Sequence, residues 1–97
     1  MIDKKTRIKL RSLASTIKPI VWVGKDGFTD NVLNQINEEL FNHELIKISM
    51  QENTTPPTEF ELTEMAVKLG AEVVTTIGRK IVLYRRSSRK DIEHIEF

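Results

Sequence analysis

The chain contains no cysteine, only two histidines, three prolines and four glycines among 97 residues. Without cysteine there is no disulfide and no thiolate chemistry, and two histidines are too few for a His-based metal site. No serine or cysteine nucleophile pattern and no carboxylate pair is visible, so the expectation is a protein that is not an enzyme and needs no cofactor. No apolar run approaches the ~20 residues that span a bilayer, and Met1 to Arg11 lacks the apolar stretch of a signal peptide. A cytoplasmic protein without a membrane partner is expected. The length suits one domain, and 39% hydrophobic with 30% charged residues fits a folded globule rather than a disordered tail.

Charge is plentiful but unevenly placed. From Met1 to Phe28 seven basic residues (Lys4, Lys5, Arg7, Lys9, Arg11, Lys18 and Lys25) face two acidic ones. From Thr29 to Glu72 nine acidic residues face two basic ones, and from Val73 to Phe97 six basic residues face three acidic ones. If the two basic ends meet in space, the fold has a basic face and an acidic back, as a polyanion binder requires.

Leu10, Leu13, Ala14 and Ile17 recur at helical spacing, which predicts a basic amphipathic helix over about Lys4 to Thr16, ended by Pro19. Ile20 to Val23 reads as a short buried strand stopped by Gly24, with Trp22 in the core. Thr29 caps a second helix whose apolar stripe is Val32, Leu33, Ile36, Leu40 and Phe41. Leu45 to Met50 alternates as a strand, with Ile46, Ile48 and Met50 on one face. After a polar loop holding Pro56 and Pro57, Phe60, Met65, Ala66 and Leu69 mark a third helix that Gly70 ends. Glu72–Ile77 and Lys80–Arg85 read as a hairpin around Gly78-Arg79, glycine first, as a type II′ turn requires. Tyr84 is expected to pack in the sheet. The order α-β-α-β-α-β-β implies an α/β domain over residues 1–86, a four-stranded mixed sheet packed against helices. Residues 87–97 read as a polar, frayed tail in which Ile92, Ile95 and Phe97 could dock as a short helix.

The candidate site is the loop Gly24-Lys25-Asp26-Gly27 between a strand and a helix start. Its glycines let a ligand approach the backbone, the N–H groups of the following helix attract phosphate, and Lys25 adds a cation. Asp26 opposes a polyanion. Taken alone, such a turn is more often structural. Lys4, Lys5, Arg7, Lys9, Arg11 and Lys18 on the N-terminal side, with Arg79, Lys80 and Arg85 on the hairpin, complete the expected basic face. His43 beside Glu44 is better read as a helix C-terminal cation than as an acid–base pair.

Several segments resemble one family. Leu13-Ala14 followed by Lys18-Pro19, the loop Gly24 to Thr29, His43-Glu44-Leu45-Ile46-Lys47, and Ile77-Gly78 through Val82-Leu83-Tyr84-Arg85 are similar, in order and spacing, to the CRM domain (chloroplast RNA splicing and ribosome maturation) and its bacterial YhbY-like members. The resemblance implies a fold akin to the C-terminal domain of translation initiation factor three. It also implies RNA binding through a basic surface including Gly24, Lys25 and Gly27, with ribosomal RNA and large ribosomal subunit precursors as partners; separately, a monomer is expected. Asp26 departs from the family pattern, which often has an uncharged residue such as asparagine. Two rival readings remain: a DNA-binding or general nucleic-acid architectural protein, and a protein-interaction adaptor using the acidic stretch Glu38 to Glu64.

Overall fold

The computed structural model describes residues 2–96. Its elements, in chain order, are α1 (Lys4–Ala14), β1 (Val21–Val23), α2 (Asp30–His43), β2 (Leu45–Met50), α3 (Glu59–Leu69), β3 (Glu72–Ile77) and β4 (Lys80–Tyr84). Local chemistry sets most of their ends. Asp3 accepts from the Thr6 amide at 2.7 Å at the start of α1, and Thr29 caps α2 through the Val32 amide. Thr58 and Glu61 form a reciprocal capping box at α3, whose end is Gly70 at φ 64°. Helix α1 stops short of the expected Thr16. The hydroxyls of Ser15 and Thr16 turn back to the carbonyls of Ser12 and Leu13, and so compete with helical propagation.

The strands form one mixed sheet in the order β1-β2-β4-β3. β1 runs parallel to β2, and β4 lies antiparallel between β2 and β3. Gly78 sits at φ 58° in the hairpin turn, where Ile77 pairs with Lys80. Period-two alternation splits the side chains between two cores. On one face Val21, Val23, Ile46, Ile48, Met50, Ile81 and Leu83 pack against Ile36 and Leu40 of α2 and Met65 and Leu69 of α3. On the other, Leu45, Val74, Val82 and Tyr84 pack beneath Leu10 and Ala14 of α1. Tyr84 is buried, as expected. Among the described residues no helix is long and apolar enough to cross a membrane.

Three aromatic expectations fail, the mildest at Phe41, which was placed on the apolar stripe of α2 but is exposed. Trp22 is not in the core: it is 60% exposed, because its neighbours Val21 and Val23 point into the α2/α3 core and the pleat turns Trp22 to the opposite face. Phe60, expected on the inner stripe of α3, is 72% exposed in the first turn of that helix.

Residues 87–96 carry no helix, and the expected docking of Phe97 lies outside the described residues. They are nonetheless tied down by one carboxylate. Glu44, the α2 C-cap, takes the unusual backbone angle φ 65° and has no exposed surface. Its side chain accepts from the Ser87 amide at 2.7 Å, the Ile95 amide at 2.9 Å and His94 Nδ1 at 2.6 Å. An ionised carboxylate only accepts, so His94 carries its hydrogen on Nδ1. Arg89 adds bonds to Asp91 and Asn42 and lies over the Phe41 ring. Burial alone would raise the Glu44 pKa, but the hydrogen bonds from Ser87, His94 and Ile95 outweigh it and hold the group below its ordinary 4.5.

A depressed carboxylate contributes stability that is complete above its unfolded pKa and disappears as pH falls through its folded one. Docking of residues 87–96 should therefore be constant from neutral pH down to about 4.5 and weaken below it. Amide exchange of Ser87 and Ile95 as a function of pH measures this. Glu44→Gln should cost about 2–4 kcal/mol at neutral pH in urea unfolding, since it replaces charge-assisted buried bonds with an imperfectly matched amide.

Candidate nucleic-acid interface

Parallel pairing of β1 with β2 brings their C-terminal ends to one edge of the sheet, where the β3–β4 turn also lies. Three loops meet there. The Met50 amide donates to the Arg79 carbonyl at 2.8 Å and the Gln51 amide to Val23 at 2.9 Å. The Gly24–Gly27 loop is thus seated beside the start of the β2–α3 loop, with the hairpin tip on the other side.

The loop itself is a tight turn closed by the Gly27 amide donating to the Gly24 carbonyl at 3.0 Å, with Lys25 and Asp26 exposed at its tip. Its two glycines do different jobs. Gly27 sits at φ 71°, a conformation that L side chains rarely adopt, with open space where a Cβ would be. Gly24 has ordinary backbone angles, and a Cβ there would lie 3.4 Å from the end of the Gln51 side chain. The anion-attracting character expected of the helix start is modest. Thr29 Oγ1 occupies the Val32 amide, the Gly27 and Thr29 amides are bonded within the loop, and Asp30 stands in the first turn. Lys25 is left as the loop's attractive group.

The basic residues divide into two sets. Three arginines serve the fold. Arg7 Nη1 donates to the carbonyls of Val73 and Val74 at 2.7 Å each, where β3 slips register against β4. Arg79 Nη1 donates to the carbonyls of Gln51 and Thr54, pinning the β2–α3 loop. Arg85 reaches Asn37 Oδ1 at 2.7 Å, the Leu69 carbonyl at 2.9 Å and the Asn37 carbonyl at 3.0 Å, on the α2/α3 side and at the far end of the sheet from the loop. Partial burial lowers the pKa of its guanidinium from the ordinary value. Lys9 is engaged within the fold. Lys18 lies at the entry to β1, opposite the loop, beside an apolar hollow lined by Leu13, Ile17, His43 and Ile95.

The second set is exposed: Lys4, Lys5 and Arg11 on α1, Lys25 on the loop and Lys80 at the start of β4. Arg11 and Lys47 line a groove of ≈ 360 Å³ between α1 and the sheet, with Ile8, Ser12, Thr75 and Ile77. Among the described residues no ion pair engages Lys25, Lys47 or Lys80. Lys47 was not foreseen as a site residue, although its outward place in an alternating strand was legible. No three of His, Cys, Asp and Glu converge to hold a metal among the described residues.

Comparison with known proteins agrees with this architecture. A family model described as the CRS1 / YhbY (CRM) domain matches residues 2–85. A Bacillus subtilis (strain 168) protein named "Probable RNA-binding protein YqeI" is 41% identical over 95 residues, covering 96% of this chain and 98% of that one. An "RNA-binding protein" of Haemophilus influenzae is 32% identical over 92 residues, covering 95% and 93%. The solution structure of the hypothetical protein SAV1595 from Staphylococcus aureus superposes with a TM-score of 0.70 at 38% identity, covering 98% of this chain and 100% of that one.

The division of labour gives two stability expectations. Gly27→Ala should lose about 1–2 kcal/mol in thermal or urea unfolding, whereas Gly24→Ala should stay within about 0.5 kcal/mol. Arg85→Ala should lose about 2–3 kcal/mol by stranding the Asn37 and Leu69 acceptors, while Lys80→Ala leaves the midpoint nearly unchanged.

Proposed function

The chain belongs to the CRS1 / YhbY (CRM) domain family, and from that premise we propose that it is an RNA-binding protein that docks on structured ribosomal RNA in large-subunit precursors. It would act as a monomer in the cytoplasm, by binding rather than by catalysis. The observation that carries the reading is the clustering of Lys25, Lys80, Lys47 and Arg11 around the loop edge of the sheet and the groove beneath α1, together with relatives named as RNA-binding proteins.

The chemistry follows from the residue types. Lysines on short, exposed supports act as mobile point charges that neutralise phosphates and release counterions, giving affinity that falls steeply with salt. Such contacts fix position and carry little base readout. Lys4, Lys5 and Arg11 extend the footprint along α1. Gly24 and Gly27 let the RNA backbone approach the loop, and Asp26 tempers its attraction. Arg7, Arg79 and Arg85 support the reading less, because their guanidinium groups already bond backbone carbonyls.

Lys25→Glu should weaken binding to ribosomal RNA in a titration at fixed low salt and reduce the salt slope by about one, with an unaltered unfolding midpoint. Unchanged affinity would remove the loop from the interface. Competition with duplex DNA separates RNA binding from a general nucleic-acid role, since preference for DNA defeats the proposal. A partner complex that survives nuclease treatment of a lysate would instead favour an adaptor acting through the acidic helices.

A further inference from the structure

Trp22 is the single tryptophan, and it stands in the open on a strand whose other two residues are completely buried. Its side of the sheet is the one that α1 covers in part. Register places Trp22 beside Ser49, Ser49 beside Lys80, and Lys80 beside Ile77, a row crossing all four strands. The next row contains Lys47, Val82 and Thr75. Leu10 and Ala14 of α1 seal the sheet over Leu45, Val74, Val82 and Tyr84, so the cover ends before the Trp22 row. Ile77, at the other end of that row, is 64% exposed.

An indole left in water forfeits the burial that makes tryptophan a core residue, and its flat apolar face is open to contact. The charge around it narrows the partner. In these two rows every ionisable side chain is a lysine, Lys47 or Lys80, and Arg11 forms the groove wall above them. Lys80 lies two strands from Trp22, roughly 10 Å at the usual strand spacing. An aromatic face with cations at that distance suits a nucleotide strand whose bases lie flat while its phosphates reach ammonium groups. A protein partner would have to bring carboxylates to the lysines and an apolar face to the indole at once.

We propose that this uncovered end of the sheet is a stacking platform for unpaired RNA, in which a nucleobase lies on Trp22 and flanking phosphates are held by Lys80 and Lys47. The proposal rests on the RNA-binding reading above and deepens it. The loop and α1 grip backbone, while Trp22 selects for a segment whose bases are not already stacked in a duplex. The platform would favour RNA with loops or bulges over continuous helix.

Because Trp22 is the only indole, its fluorescence reports this contact alone. The full chain is titrated with a labelled RNA hairpin carrying an unpaired loop and with a fully paired RNA of the same length, following both RNA anisotropy and tryptophan emission. Quenching by the hairpin and little by the duplex is expected. Trp22→Ala should weaken hairpin binding about 5- to 100-fold with an unchanged salt slope, and Trp22→Phe should restore most of it. The side chain is exposed, so the unfolding midpoint of either variant should stay close to that of the parent. Hairpin binding with unaltered emission and an undiminished Trp22→Ala affinity overturns the platform but leaves RNA binding standing. Equal quenching by duplex also overturns it. Binding of neither RNA overturns both readings.

Discussion

One helix cannot cover a four-stranded sheet. Strands of up to six residues, four abreast at about 4.8 Å, present roughly 20 Å by 15–20 Å on each face. Two helices, α2 and α3, close one face over a continuous aliphatic core. The other face has α1 alone, 11 residues or about 16 Å long and some 10 Å across. It seals Leu45, Val74, Val82 and Tyr84 and leaves the loop edge of the sheet bare. The groove beside Arg11, the exposed lysines and Trp22 all follow from that shortfall. The proposed site is the part of the sheet that the chain does not cover with itself.

The basic residues then separate by what their end groups can do. A guanidinium offers five fixed donors and is weakly hydrated, so it can satisfy several carbonyls where the backbone departs from regular pairing. Arg7 does so at the slipped register of β3, Arg79 at the β2–α3 loop and Arg85 at the junction of α2, α3 and β4. Lysine, a hydrated point charge on a flexible stem, stays at the surface. Glu44 is the acidic counterpart of the arginine clamps. Its two carboxylate oxygens accept three hydrogen bonds that hold residues 87–96 against the end of α2, at a backbone angle that glycine would adopt more readily.

Much of this was readable in the chain, and the exceptions have identifiable causes. Helix and strand limits were set by local chemistry: Thr29 as a cap, Gly70 as a stop, Gly78 as the first turn residue, alternation from Leu45 to Met50. The family resemblance rested on segments from Leu13 to Arg85, and the matched residues 2–85 confirm it. Trp22 departs from expectation because a four-residue apolar run reads as buried on both sides. In a mixed sheet with one bare corner, the pleat exposes every second residue at that corner. Arg85 was expected on the basic face because it ends the final hairpin, but its bonds lie on the α2/α3 side.

The chain by itself determined the elements, their order, the two apolar faces and the segregation of charge, since these follow from period, caps and composition within a few residues of each position. The tertiary structure decided which cations remain available and which clamp carbonyls. It also decided that Glu44 reaches residues fifty positions away and that Trp22 stands in water. These outcomes depend on which strand lies beside which and on how far one short helix extends over them, and no local pattern contains that information.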